Sequence, residues 1–183
     1  IYTDPYSIAE KLCDRAPTPA GIRGRKRAYF WDCNSNMANS WILGGCLFGM
    51  EVVLCGPDAF SPGDRIRQLA KESGLQGNFR FTSDAREACD GADVVYTDVW
   101  VSMGDEGEED IRRKVLAPYQ VNRRLMGLAK EDALFMHCLP AHEGEEVTAD
   151  VLEMPNSIIY DQAENRLHVQ KAILAKLVEV NQS

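Results

Sequence analysis

Residues 28–40, Ala-Tyr-Phe-Trp-Asp-Cys-Asn-Ser-Asn-Met-Ala-Asn-Ser, contain the pattern that decides the fold. An apolar run over Ala28–Cys33 stops at a cluster of asparagine and serine residues, and a helical pattern then covers Met37–Gly49. Asparagine and serine are good helix N-caps, because their side chains accept hydrogen bonds from the free N–H groups of the first turn. The segment therefore predicts a strand that is followed at once by a helix.

The same alternation of strand and helix recurs along the rest of the chain. Short apolar runs between polar or turn residues are typical of strands that are buried on both faces. The other predicted strands are Glu51–Cys55, Phe79–Thr82, Asp93–Thr97, Leu134–Cys138 and Ser157–Tyr160. The other predicted helices are Pro62–Ser73, Asp84–Cys89, Glu108–Ala129 with a break near Pro118, and Ala163–Val180. We predict one α/β domain with a doubly wound, Rossmann-like parallel sheet and helices on both of its faces.

The size and composition of the chain limit the class of protein. It has 183 residues, of which 45% are hydrophobic and 26% are charged, as expected of one globular domain. We assign residues 25–183 to this domain and residues 1–24 to an N-terminal segment or linker remnant. The net charge of −8 argues against nonspecific nucleic-acid binding, which needs clustered lysine and arginine.

Several features predict a cytoplasmic protein without a membrane span. No run approaches the roughly 20 apolar residues that cross a bilayer, and the first residues lack the basic and apolar pattern of a signal peptide. They also lack a methionine, so we expect further residues upstream. The six cysteines are scattered without a C-x-x-C pair, which favours reduced thiols over a disulfide or zinc framework.

Polar clusters follow four of the predicted strands, where α/β sheets bind their ligands. After the first strand, the cluster around Asn36 leads into a helix start whose free N–H groups favour a carboxylate or phosphate, although capping alone also explains it. No G-x-G-x-x-G follows, so we do not expect a dinucleotide site. After the fourth strand, Asp98 is suited to hold an ammonium group and Ser102 to reach the same ligand, although both also suit capping of the next turn.

The last two clusters contain a cysteine and an arginine. Cys138 ends the fifth predicted strand, between His137 and His142. The two histidines would suit a metal, but no other ligand has suitable spacing. His137 also fits a packed, hydrogen-bonded role. Arg166 lies in the first turn of the last predicted helix, where the dipole disfavours a cation, and this makes it a candidate anion binder. An ion pair with Glu164 or Asp161 is the alternative.

Together these clusters resemble the ornithine carbamoyltransferase family. The resemblance rests on four segments in order: Asn-Met-Ala-Asn-Ser-Trp at 36–41, Asp-Val-Trp-Val-Ser-Met-Gly at 98–104, Met-His-Cys-Leu-Pro-Ala-His at 136–142, and Asp-Gln-Ala-Glu-Asn-Arg at 161–166. It implies the transfer of a carbamoyl group from carbamoyl phosphate to L-ornithine, giving citrulline and phosphate, with no metal or organic cofactor. The Ser-Met-Gly element favours ornithine over aspartate or putrescine as acceptor.

The resemblance also implies roles for individual residues. Asn36, Asp98, Ser102 and Met103 would hold the α-amino and α-carboxylate groups of ornithine. Cys138 and the backbone of Leu139 would lie beside the reacting amine, and Arg166 would contact carbamoyl phosphate. Such a reaction needs positioning and electrostatic support rather than covalent catalysis.

The chain departs from the family pattern in ways that divide the functional hypotheses. The Ser-Thr-Arg-Thr phosphate loop and the His-Pro-Cys-Gln element are absent, Trp31-Asp32-Cys33 replaces a glycine-containing turn, and Glu143 stands where arginine is common. The chain is then either a piece of a working transferase or a stand-alone amino-acid-binding module or relic. A nucleotide-binding domain of similar topology is a third hypothesis, disfavoured by the missing glycine loop. We expect no citrulline formation by this chain alone, and self-association through an exposed interdomain surface.

Overall fold

Five short parallel strands form the centre of the protein in a computed structural model, which describes residues 2–13, 16–101, 107 and 109–182. The strands are β1 (Lys26–Phe30), β2 (Glu51–Cys55), β3 (Phe79–Thr82), β4 (Val94–Thr97) and β5 (Leu134–His137). The helices are α1 (Thr3–Leu12), α2 (Asn36–Leu47), α3 (Asp64–Glu72), α4 (Ala85–Cys89), α5 (Glu109–Leu116), α6 (Arg123–Met126), α7 (Ala149–Leu152) and α8 (Ile159–Gln182). Short 3-10 turns cover Pro19–Ile22, Asp58–Phe60 and Ala117–Tyr119. The predicted α/β class is confirmed.

The sixth predicted strand, Ser157–Tyr160, is wrong. Ser157 makes a single bridge to Phe135, and α8 already begins at Ile159. The two isoleucines of this segment are buried, so the apolar signal came from the start of a helix that packs on the sheet. A run this short does not distinguish a strand from a buried helix end. By contrast, the predicted break near Pro118 is confirmed by the 3-10 turn between α5 and α6.

The order of the strands across the sheet is β3-β2-β1-β4-β5. The chain moves outward from β1 to β3 and then returns to the other side of β1 for β4 and β5. The carboxyl ends of β1 and β4 therefore lie at the point where the winding reverses, which is the usual ligand crevice of a doubly wound sheet. The residues that follow these two strands and β5 form one edge of the molecule.

Both faces of the sheet are covered by helices. One core cluster joins the sheet to α1, α2 and α3, and the other joins it to α4, α6 and α7. Within the described part of the chain, no helix is both long and apolar enough to cross a membrane. Helix α8, the longest, also packs along α1 and carries charged residues through its length.

The core on the α1 side contains a buried arginine, which no sequence pattern indicated. The guanidinium of Arg27 lies over the ring of Trp41, 3.1 Å from its centroid, and 4.2 Å from the ring centroid of Tyr96. None of its three nitrogens has a hydrogen-bond partner, and burial lowers its pKa to about 9. The aromatic faces and the nearby carboxylate of Asp4 are what compensate its charge.

A hydrogen-bond network connects α1 and α8 to the sheet. Asp4 in α1 accepts hydrogen bonds from the hydroxyl of Tyr96 at 3.3 Å and from Nε2 of Gln162 at 3.0 Å. The amide oxygen of Gln162 in turn accepts from the backbone N–H of His137 at 3.2 Å. One network thus joins the N-terminal helix, β4, β5 and the last helix.

Asp93 anchors the other end of β4. Its carboxylate accepts hydrogen bonds from Arg25 at 2.8 Å, from the backbone N–H of Lys26 at 2.8 Å and from Lys130 at 2.7 Å. Burial alone would raise the pKa of Asp93, but the bonds from Lys130, Lys26 and Arg25 outweigh it and hold the pKa below the usual value. The ionised form therefore stabilises the fold.

We predict that Asp93→Asn lowers the free energy of unfolding at pH 7 by about 2 kcal/mol, a value reduced for the solvent exposure of Arg25 and Lys130. The stabilisation by Asp93 is present above the unfolded-state pKa near 3.8 and is lost as the pH falls through the lower folded-state pKa. Urea unfolding at pH 7 and pH 3 measures both effects. The exposed Asp132→Asn is the matched control, and equal stability of the two variants at pH 7 would contradict the assignment.

Candidate functional site

The sheet brings two of the predicted site residues into direct contact. Thr97 at the end of β4 pairs with His137 at the end of β5, so the next residue of each strand, Asp98 and Cys138, lies on the same edge. The Sγ atom of Cys138 donates a hydrogen bond to Oδ1 of Asp98 at 2.8 Å. The same carboxylate oxygen accepts from the backbone N–H of Val99 at 2.8 Å.

Burial keeps the proton on the thiol. Desolvation and then the charge of Asp98 raise the pKa of Cys138 far above its usual value, so the sulfur is a neutral hydrogen-bond donor at physiological pH. Desolvation also raises the pKa of Asp98, although the hydrogen bonds from Cys138 and Val99 oppose this shift. A protonated thiol beside a buried carboxylate is suited to positioning a ligand, not to nucleophilic attack by sulfur.

The loop after β5 has an unusual backbone. Leu139 has a φ of +57°, in the left-handed region that non-glycine residues seldom adopt, and the Leu139–Pro140 peptide bond is cis. A residue in this region costs on the order of 1 kcal/mol and persists only where the surroundings hold it. The backbone N–H of Leu139 donates to Nδ1 of His137 at 2.9 Å, and this bond fixes the direction of the loop.

A buried histidine and a buried glutamate hold that loop in place through hydrogen bonds. Because Nδ1 of His137 accepts from Leu139, its hydrogen is on Nε2, which lies 3.1 Å from Oε1 of Glu146. The same Oε1 accepts from the backbone N–H of His142 at 2.6 Å. His137 therefore has the packed, hydrogen-bonded role that was one of its two interpretations, and Glu146, which was not among the predicted site residues, fixes both ends of the loop.

Asn36, another of the predicted site residues, lies at the start of the helix that follows β1. Asn36 is exposed at the first position of α2, where Ser35 is the N-cap and accepts from the N–H of Ala38 at 3.1 Å. No hydrogen bond or ion pair of the described residues joins Asn36 to Asp98 or Cys138. Ser102 and Met103 lie outside the described residues.

The expected position of Arg166 in a first helical turn is wrong. Because α8 begins at Ile159, Arg166 lies two turns into the helix, so the argument from the helix dipole does not apply. Its alternative partners are engaged elsewhere: Asp161 pairs with Lys11 at 2.6 Å and Glu164 lies 3.4 Å from His168. Arg166 is exposed and makes no hydrogen bond or ion pair with the described residues, so its guanidinium is accessible to an anion from solution.

Comparison with known proteins identifies the family to which this chain belongs. Residues 23–177 match the family described as aspartate/ornithine carbamoyltransferase, Asp/Orn binding domain. The chain belongs to the aspartate/ornithine carbamoyltransferase family. Its fold is similar to that of ornithine carbamoyltransferase from Pyrococcus furiosus, with a TM-score of 0.82 and 45% identity over 94% of this chain and 53% of that one.

Two further members of the carbamoyltransferase family are similar to this chain over most of its length. An ornithine carbamoyltransferase from Bifidobacterium longum subsp. infantis is 50% identical over 160 residues, which are 85% of this chain and 49% of that protein. The structure of the anabolic enzyme from Campylobacter jejuni has a TM-score of 0.84 at 32% identity and covers 99% of this chain and 57% of that one. The chain thus spans about half the length of the carbamoyltransferases that it matches.

An ion pair lies at the turn that follows β1. Asp32, which follows β1, pairs with Arg112 of α5 at 3.2 Å, and the guanidinium of Arg112 also lies 5.1 Å from the ring centroid of Phe60. Oδ1 of Asp32 accepts from the backbone N–H of Asn34 at 2.9 Å. The pair fixes the turn that leads to Asn36, and only the three-dimensional approach of α5 to β1 reveals it.

We predict that Asp98→Asn raises the thermal midpoint at pH 7 by about 2–4 °C, the usual change for ~1 kcal/mol in a domain of this size. The raised pKa means that protonation of Asp98 stabilises the fold below the usual value near 3.8, and that this stabilisation is lost as the pH rises through the folded-state pKa. The amide keeps an acceptor for Cys138 and Val99 without a buried charge. Thermal unfolding from pH 3.5 to 7 should show the advantage only at the higher pH; a lower midpoint than wild type at pH 7 would contradict it.

Proposed function

We propose that the chain is the L-ornithine-binding domain of an ornithine carbamoyltransferase. The observation that carries the proposal is the state of Asp98, a carboxylate that is 6% exposed and whose partners are a neutral thiol and a backbone N–H. Among the described residues, no lysine or arginine lies within ion-pair distance of Asp98. An ammonium group on a ligand would supply the missing positive charge.

Comparison with another buried carboxylate of the chain strengthens this proposal. Asp93 has two cations within 2.8 Å, and its pKa is lowered. Among the described residues no lysine or arginine pairs with Asp98, and its pKa is raised. A charge that the fold leaves uncompensated, at the carboxyl edge of a parallel sheet, is a typical feature of a ligand site rather than of a structural ion pair.

The other site residues take their proposed roles from the family resemblance. Asn36, Ser102 and Met103 would contact the α-amino and α-carboxylate groups together with Asp98. The thiol of Cys138 and the backbone of Leu139, which the His137–Glu146 pair supports, would lie beside the δ-amine of ornithine. Arg166, which is exposed, would contact the bound carbamoyl phosphate.

We further propose that this chain, which spans half the length of its relatives, forms no citrulline by itself. Carbamoyl phosphate would bind only together with a complementary N-terminal domain, and the two halves would close on the substrates. The proposed setting is the cytoplasm, with arginine metabolism as the general context.

A binding module without transferase activity is the second candidate. It is favoured by the negative charge of the turn at residues 143–146, which follows the loop after β5 (the Cys138 loop, residues 138–142). This turn contains Glu143, Glu145 and Glu146, and Arg113 is the arginine that pairs with it. Negative charge at this position would repel an anionic second substrate. Both candidates require an ornithine site, and they differ in the activity obtained when the other half is supplied.

Calorimetric titration of the purified chain with L-ornithine tests the proposed site. We predict measurable binding by wild type and at least a tenfold loss of affinity in Asp98→Asn, the effect of removing a charge-assisted contact worth about 1.5–3 kcal/mol. Asp132→Asn, with the same change of charge on an exposed turn, should bind as wild type does. Equal affinity of all three proteins would exclude Asp98 from the site.

We also propose self-association through the outer part of α8. Three leucines of this helix, Leu167, Leu174 and Leu177, are each more than half exposed and follow one another at helical spacing. A second copy of the chain is the proposed partner, because the same apolar row on that copy would cover these exposed leucines. Light scattering should show a dimer for wild type and a monomer for Leu174→Glu. A wild-type protein that stays monomeric at high protein concentration would contradict this proposal.

A further inference from the structure

We propose that His142, Glu145 and Glu146 form a binding site for a divalent transition-metal ion of the zinc class, separate from the Asp98–Cys138 pair. The three residues lie in and beside the turn that follows the Cys138 loop. One ligand atom from each side chain lies within 4.8 Å of the other two. One imidazole and two carboxylates suit Zn²⁺ and Co²⁺, with water in the remaining positions.

Glu146 distinguishes this cluster from an ordinary group of surface carboxylates. Its side chain is 0% exposed, and its Oε1 is occupied by His137 and by the backbone N–H of His142. Its Oε2 is buried without a hydrogen-bond partner and lies 4.0 Å from Nδ1 of His142. A buried carboxylate oxygen that no donor satisfies is costly, and a cation between it and the imidazole would remove that cost.

The distances require only a small adjustment for coordination. Ligand atoms that each lie ~2.1 Å from a zinc ion are about 3.4 Å apart in tetrahedral geometry. The side chain of His142 is 53% exposed and that of Glu145 is 28% exposed, so both can turn toward the fixed Glu146. The buried residue thus supplies a rigid ligand and the two exposed residues close around the ion.

Arg113 is the positive charge that faces the cluster. Its Nη2 and Nε atoms contact Oε1 of Glu145 at 2.8 and 3.1 Å, and it also pairs with Glu109. Both contacts to Glu145 use Oε1, which leaves Oε2 to coordinate the ion. The carboxylates of Glu109, Glu145 and Glu146 outnumber this single guanidinium, so the local charge still attracts a cation.

Titration of the full chain with Co²⁺, followed by visible absorption and by the NMR signals of the histidine rings, tests the site. We expect one ion per chain, displacement by Zn²⁺, and a shift of the His142 signals but not of the His168 signals. His142→Gln and Glu145→Gln should each lower the affinity at least tenfold. Both substitutions are at partly exposed positions, and the thermal midpoint of each metal-free variant checks that the fold is kept.

Three controls separate this site from other metal ligands. Glu143→Gln removes a charge from the same turn, His168→Gln removes a histidine that lies beside Glu164 on α8, and Cys138→Ala removes the thiol that precedes the loop. All three should bind Co²⁺ as wild type does. Absence of binding by wild type, unchanged affinity in His142→Gln, or loss of binding in Cys138→Ala would each overturn the proposal, and none of these results depends on whether the chain binds ornithine.

Discussion

The pairing of β4 between β1 and β5 is the constraint on which the rest of the structure depends. Its register places Thr97 beside both Phe30 and His137, so the residues that follow three strands meet on one edge. Asp98 and Cys138, which are 40 residues apart in the chain, are brought within 2.8 Å by this register alone. A shift of one residue would turn every side chain of β4 to the other face of the sheet and separate them.

The two ends of β4 show how one residue type serves opposite purposes. Asp93, at the amino end, is surrounded by cations, and its ionised form stabilises the fold. Asp98, at the carboxyl end, has a thiol and a backbone N–H as its partners among the described residues, and burial disfavours its ionised form. The first aspartate stabilises the scaffold, whereas the second is the proposed ligand contact, and a raised pKa in a buried carboxylate is typical of groups that are arranged for binding.

Sequence patterns predicted the five strands of the sheet and the class of fold, because buried parallel strands have a clear apolar signature. They misassigned the segment at Ile158 and Ile159, where two buried apolar residues belong to a helix start. They also missed contacts between distant residues: no local pattern reveals Arg27 among aromatic rings or Asp32 paired with Arg112.

A cluster of near neighbours in the turn after β5 was missed as well. Linear spacing from His137 and His142 revealed no further metal ligand, whereas the folded turn brings Glu145 and Glu146 beside His142. Motif resemblance assigned Asp98 and Cys138 to one proposed site, and the structure brings these two side chains into contact. Backbone NMR of the isotopically labelled chain with added L-ornithine locates that site most directly: the account predicts shifts confined to the residues after β1, β4 and β5, led by Asp98, Cys138 and Leu139. Shifts confined to the cavity between α1 and α8, which is lined by Tyr6, Phe48 and Ile173, or none at saturating ornithine, would contradict it.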